Sequence, residues 1–282
     1  MGKVRIVTDS TADIPAEVRE ELGIEMVPLN IHFGSETFLD TVTLTSEHFY
    51  EKLQSSGVFP KTSQPSPAEF LAVYERLTAE SDVEVISIHL ASVLSGTYQS
   101  AVLAASMLES AKVHVVDSRS ASYGIGALVV AAAEAAREGQ SVEQIVQLIE
   151  RMRENFYIYF LVDTLEFLQK GGRIGKASAL LGSLLNIKPI LSIDPEGEVA
   201  AVDKVRGHKK AMARIVELLE QDIAGRPIRL YIAHANNLEG ADQLRDALTE
   251  RFQVRAAAYI ALGPVIGAHA GPGTIAAFVS TD

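Results

Sequence analysis

Two short segments of the chain gather hydroxyl side chains where a small anion can be held. The first, Lys61-Thr62-Ser63-Gln64-Pro65-Ser66-Pro67, carries three hydroxyls and two prolines immediately before a helix start. Ser66 suits the cap position, Pro67 the first helical position, and Glu69 completes a capping box. Capping accounts for Ser66 and Pro67 but leaves Thr62 and Ser63 unexplained. The N–H groups of a helix start attract anions and hydroxyls add donors, so Thr62 and Ser63 are candidate anion ligands. The second segment, Leu94-Ser95-Gly96-Thr97-Tyr98-Gln99-Ser100, follows a buried apolar run. Gly96 permits close backbone approach, and Ser95 falls where a sheet edge is expected. A helix cap alone accounts equally well for Ser95. The occurrence of two such loops in one sheet favours a ligand.

The other chemistry-bearing patterns are weaker. The seven histidines show no HExxH or other metal-ligand spacing. His269 lies between Gly267 and Gly271-Pro272-Gly273, a glycine-proline loop that suits contact better than packing. Gly171-Gly172-Arg173-Ile174-Gly175-Lys176 fails as a phosphate loop, because Lys170 stands where a glycine is required and Ala177 where magnesium needs Ser or Thr. Gly124-Ile125-Gly126 lacks the third glycine of a dinucleotide loop. Ser95 and His269 supply two members of a hydrolytic triad, with Asp9 or Asp117 as the acid, but Ser95 lacks the GxSxG elbow. A Ser/His esterase or thioesterase is therefore the alternative to a binding protein without catalytic residues.

The elements that must position these residues read as two halves. Val4–Thr8, Met26–Phe33, Val83–His89 and Lys112–Asp117 are expected strands. Helices are expected from Asp13-Pro15, from Thr45-Ser46 to Leu53, from Ser66 to Ala79, from Ser95 to Leu108, and from Ser118 to Arg137; Ser141 and Gln144 box in another. Alternating strands and helices predict a wound parallel sheet, and polar residues recur just past its strand ends, where ligands of open α/β sheets bind. The second half predicts a strand over Tyr157–Val162, a short helix ending at Gly171-Gly172, a helix over Leu180–Leu185, and a hairpin of Lys188–Asp194 with Val199–Val205. Helices over 208–222 and 238–251 flank strands over 228–234 and 254–261, and Thr274–Ser280 is a last strand. The tail from Ala256 to Val279 reads as strands and turns. This mixture predicts an α+β domain, with the boundary near residue 155.

Composition narrows the function classes. The chain has 282 residues, 48% hydrophobic and 22% charged, enough for a large core. It has no cysteine, which excludes disulfides, thiolate metal sites and a Cys nucleophile. A net charge of -11 without a dense Lys/Arg cluster makes nucleic acid and anionic membranes poor partners. No apolar run is long and uninterrupted enough to span a bilayer or to serve as a signal peptide. The expected compartment is the cytoplasm.

Taken together, Thr8-Asp9-Ser10, Thr62-Ser63-Gln64-Pro65-Ser66, Ser95 to Ser100, Asp117-Ser118, Leu165 to Ile174, Lys188-Pro189, Lys204-Val205-Arg206-Gly207 and the His269 loop resemble the DegV family of bacterial fatty-acid-binding proteins. The resemblance covers essentially the whole chain. It implies a Rossmann-like α/β domain over 1–155 with a parallel sheet, an α+β domain over 156–282, and a long-chain fatty acid such as palmitate or oleate between them. It implies that Thr62, Ser63 and Ser95, with Gly96 beside them, hold the carboxylate, and that His269 joins this network. It further implies a partner fatty acid kinase, with Arg173 and Arg206 facing the partner or the phosphate. No cofactor, metal or stable membrane insertion is implied.

Overall fold

The computed structural model describes residues 3–79, 82–108, 112–182 and 187–281. In chain order the first half runs β1 (Lys3–Asp9), α1 (Ala16–Leu22), β2 (Glu25–Val27), β3 (Asn30–Phe33), β4 (Glu36–Leu39), α2 (Ser46–Ser56), β5 (Lys61–Ser63), α3 (Pro67–Thr78), β6 (Val83–His89), α4 (Thr97–Ser106), β7 (Val113–Asp117), α5 (Tyr123–Arg137) and α6 (Val142–Glu154). The second half runs β8 (Phe156–Leu161), α7 (Glu166–Lys170), β9 (Ile187–Ile193), β10 (Val199–Arg206), α8 (His208–Ile223), β11 (Ile228–His234), α9 (Leu238–Arg251), β12 (Val254–Ala261), α10 (Pro264–Ala270) and β13 (Ile275–Ser280).

The first sheet has the order β2-β1-β6-β7 and is parallel throughout. Its strands are rich in valine and isoleucine because both faces are covered. Val7 and Val85 point to Phe70, Tyr74 and Ala101 of α3 and α4, whereas Ile6, Ile86 and Ile88 point to Ile125 and Leu128 of α5 and Ile145 of α6. The second sheet, β10-β9-β8-β13-β11-β12, is antiparallel except for the β11–β12 pair. One face of β8 and β13 packs Tyr159, Leu161, Ala277 and Val279 against α8 and α9. The period of two then sends Ile158, Phe160, Ala276 and Phe278 to the opposite face, toward the first half of the chain. The fold is therefore mixed α/β, with a parallel sheet and a separate mixed sheet.

Three expectations are corrected here. The single strand expected over Met26–Phe33 is two strands: β2 ends the parallel sheet, and β3 opens a third sheet of order β4-β3-β5. Pro28 lies at the handover and has no N–H to continue a ladder, while Leu29 N–H donates instead to Ser10 Oγ at 3.0 Å. The loop expected at Thr62-Ser63 is the short strand β5, paired with β3. The tail read as strands and turns contains α10, with Gly263 as its cap and Pro264 in its first turn, so His269 stands in the last turn of a helix. The helix expected over 180–185 lies largely outside the described residues; Leu180 itself ends a 3-10 turn, Gly175–Leu180.

The polar ends of β1 and β6 form a fully buried chain of hydrogen bonds. Tyr74 Oη donates to Ser87 Oγ at 2.8 Å, and Ser87 Oγ lies 2.7 Å from His89 Nε2. His89 Nδ1 lies 3.0 Å from Asp9 Oδ2, which also accepts the Leu90 N–H. The other Asp9 oxygen accepts from the N–H and hydroxyl of Thr11. These residues fix the edge from which the ligand-facing loops leave.

Candidate functional site

One cavity lies where the loops of the first sheet meet the inner face of the second. It encloses about 820 Å³ of space free of protein atoms, part of it open to solvent. Its wall is mainly aliphatic and aromatic: Leu29, Leu90 and Leu94 from one side, and Ile158, Phe160 and Phe278 from the other.

The polar lining includes Thr62, Ser95, Arg173 and His269. Thr62 Oγ1 lies 2.8 Å from His269 Nε2, which ties β5 to the end of α10. His269 Nδ1 is buried without a hydrogen-bond partner. Burial, and secondarily the nearby Arg173 charge, pushes His269 down to about 4, so the ring is neutral at pH 7. Arg173 Nε donates to Leu94 O at 2.9 Å and its Nη1 to Gly171 O at 2.7 Å. The guanidinium thus fastens the Gly171-Gly172 turn to the loop carrying Ser95, and no carboxylate among the described residues pairs with it. Ser95 Oγ lies 2.9 Å from Thr97 Oγ1 and accepts the Thr97 N–H at 3.3 Å.

The remaining candidates are placed differently. Ser63 does not line the cavity, because β5 alternates its side chains and the Ser63 hydroxyl lies 3.0 Å from His32 Nε2. Gly96 does not line it either. A methyl group at Gly96 would lie 2.9 Å from the Gln64 amide nitrogen, so this glycine lets the two hydroxyl-bearing segments approach each other. Arg206 is exposed in a separate cleft with Lys188, Gly207 and Asp163. The helix-end reading of the Thr62-Ser63 segment is also corrected. Glu69 occupies the start of α3, where its carboxylate accepts from the N–H and hydroxyl of Ser66 at 2.7 Å each. A second anion there would meet that charge, and Thr62 stands on strand β5 rather than at the helix start.

A hydrolytic triad is not assembled among the described residues. Ser95 bonds Thr97 rather than His269, and Asp9 is held by His89. Sequence reasoning missed the apolar wall, along with Ser122 and Thr274, which also line the cavity. Ser122 carried one local signal, a hydroxyl just before a glycine-containing helix start, and its φ of 53° is a strained value for a residue other than glycine.

Fold and cavity together define an α/β protein with a mostly apolar pocket between its two larger sheets and polar groups set into the pocket wall. The family model "Uncharacterised protein, DegV family" matches residues 3–282, and the chain belongs to that family. A DegV domain-containing protein of Halalkalibacterium halodurans is 40% identical over 276 residues, 98% of this chain and 97% of that one. Two solved structures are similar throughout. A DegV family protein from Thermus thermophilus, described by its fatty acid binding, has a TM-score of 0.93 at 40% identity, covering 99% of this chain and 100% of that one. DegV from Bacillus subtilis, a fatty acid binding protein, has a TM-score of 0.90 at 38% identity, with both chains fully covered. No helix among the described residues is long and apolar enough to cross a membrane.

Proposed function

We propose that this chain binds a long-chain fatty acid, with the carboxylate among Thr62, Ser95, Arg173 and His269 and the acyl chain along the apolar wall. The observation that carries this reading is the cavity itself: an apolar wall between the two sheets with a cation, a neutral imidazole and hydroxyls set into it. The similarity to structures described as fatty acid binding proteins supports it. Each buried methylene contributes about 0.8 kcal/mol, so about fourteen give roughly 11 kcal/mol gross. Ordering the ligand offsets several kcal/mol of this. About -8 kcal/mol remains, which corresponds to micromolar affinity or better.

The carboxylate must find partners as it leaves water. Neutral His269 has one N–H to place. With that hydrogen on Nε2, it donates to Thr62 Oγ1 and frees the Thr62 hydroxyl hydrogen for the ligand. The unpartnered Nδ1 is then a bare acceptor, which is cheaper to bury than an orphaned N–H. Arg173 adds the positive charge that a site made of hydroxyls alone would lack. Ser63 and Gly96 shape the site through the backbone and the approach of the two segments.

The carboxylate is presented, in this reading, to a partner kinase. One of its oxygens attacks the terminal phosphorus of the partner's nucleotide, a new P–O bond forms, and the bond to the departing nucleoside diphosphate breaks. Arg206, exposed beside Lys188, is the candidate partner contact.

Native mass spectrometry of the purified protein tests the ligand. Retention of a fatty acid of roughly fourteen to eighteen carbons, the length whose gross burial energy is estimated above, is the expected result. A protein that arrives empty and rejects added palmitate and oleate refutes it. Gly171→Ala supplies a sharper test. The added methyl would lie 2.2 Å from His269 Nδ1 and must push the ring away from Thr62. Loss of one hydrogen bond of about 1 kcal/mol predicts roughly fivefold weaker palmitate binding by calorimetric titration.

A further inference from the structure

The amino end of α10 is seated on two buried carboxylates from the start of the chain. Asp13 Oδ1 accepts the Gly263 N–H at 3.0 Å, and its Oδ2 accepts the hydroxyl of the cavity-lining Ser122 at 2.5 Å. Asp40 Oδ1 accepts the Val265 N–H at 3.4 Å, while its Oδ2 is buried without a hydrogen-bond partner. Tyr50 Oη donates to Leu262 O at 3.3 Å just before the helix. The fit is close. A methyl on Gly263 would lie 2.6 Å from Asp13 Oδ1, and one on Gly267 would lie 2.5 Å from the Tyr50 hydroxyl oxygen. Four of the seven residues of α10 line the cavity: Val265, Ile266, His269 and Ala270. A shift at the amino end therefore moves His269 and part of the wall as one body.

We propose that Asp13 and Asp40 are positioning residues for the head-group site, clamping α10 by its amino end and so placing His269 against Thr62, with Asp40 making that placement dependent on pH. This rests on the fatty-acid reading of the cavity. Burial is the main cause that pushes Asp40 up to about 7, with the Asp9 charge adding to it and the Ser10 hydroxyl and Val265 N–H opposing it. Burial likewise holds Asp13 well above the ordinary carboxyl range. A seven-residue helix spans about 10 Å, so a bound carboxylate and an ionised Asp40 repel as like charges over about that distance. The ligand anion disfavours the ionised form of Asp40, and by reciprocity the ionised form weakens the ligand. Affinity falls as pH rises through about 7. Stability moves the same way. The folded-state value is raised, so its stabilising contribution is complete below the ordinary carboxyl range and is lost as pH rises through about 7.

Other ionisable groups stand around the clamp. Asp9 of β1 is bonded to His89, and burial raises Tyr50 of α2 out of the neutral range. His269 stays neutral throughout, at about 4. His32 of β3 bonds Thr37 and Ser63; His48 and Lys61 are exposed; Glu166 and Lys170 of α7 pair with each other.

The test is a pH titration of the wild type and Asp40→Asn, following His269 ring and aspartate carboxyl resonances by NMR, with palmitate affinity at both ends of the range. The wild type is expected to show His269 shifts centred near 7 without ligand, and about fivefold weaker palmitate binding near pH 8 than near pH 6, the low end of ordinary coupling between sites. Asp40→Asn is expected to be flat in both. A wild type with no transition near 7, or a slope that persists in Asp40→Asn, overturns the proposal. Should Asp40→Asn not fold, the wild type still decides: its neutral-range aspartate must titrate higher with palmitate bound, and an unchanged midpoint overturns the clamp. Failure of palmitate to bind at either pH refutes the ligand reading, while the His269 transition, present or absent, still decides the clamp.

Discussion

Replacing Arg173 with methionine lowers palmitate affinity by roughly ten- to a hundredfold, the worth of a hydrogen bond to a charged group at about 1.5–3 kcal/mol. The guanidinium lines the cavity, and its charge is felt at His269. Two of its N–H groups serve Leu94 O and Gly171 O, which holds the head in place and leaves further donors of the fork for a carboxylate. Arg173→Lys keeps the charge but not the planar fork, so it restores only part of the loss. Calorimetric titration of palmitate into each folded variant measures this. Affinity within twofold of the wild type in Arg173→Met would remove Arg173 from the carboxylate site. It would return Arg173 to the role the family resemblance first suggested, contact with a partner or a phosphate.

Breaking the hydrogen bond between buried Asp9 and His89 costs about 1–3 kcal/mol of stability, because either single replacement leaves a buried polar atom of its former partner unsatisfied. Both side chains are completely buried, and the chain continues through Ser87 to Tyr74. Denaturant unfolding of Asp9→Leu and His89→Leu should show this loss in each. The double replacement should be less harmful than the sum of the two, since an apolar pair leaves no orphaned polar atom between them. A loss below about 1 kcal/mol in both single variants would show that the network is not what pins β1 to β6.

The parallel sheet was legible because its evidence is local. Val83–His89 is rich in valine and isoleucine, and Ser66 with Glu69 and Ser141 with Gln144 announce helices within four residues; both capping boxes form. The failures share a cause in long-range geometry. Met26 to Phe33 is apolar except at Asn30 and His32, so its composition reads as one strand, and Pro28 alone marks where the chain leaves one sheet and enters another. In the tail, glycines at 263, 267 and 271 argued against a helix, yet close seating of α10 on Tyr50 and Asp13 requires two of them. Thr62, Ser95 and His269 were named from the sequence, but their arrangement was not. Whether Ser63 faces the cavity depends on the phase of a three-residue strand. That Arg173 faces it depends on a turn folding back over Leu94. The apolar wall was illegible because a leucine or phenylalanine lining a cavity looks like one filling a core.

The position of β13 carries a consequence for how the chain is made. This strand is synthesised after every other strand of its sheet, yet it sits between β8 and β11 and supplies Ala276 and Phe278 to the cavity wall. The parallel sheet can fold while the chain is still emerging from the ribosome, since domains generally fold as units from the amino end. The mixed sheet cannot close until its last strand arrives. Until then β8 and β11 present open edges and one flank of the cavity is missing. A nascent chain therefore completes this cavity late, when its last strand docks.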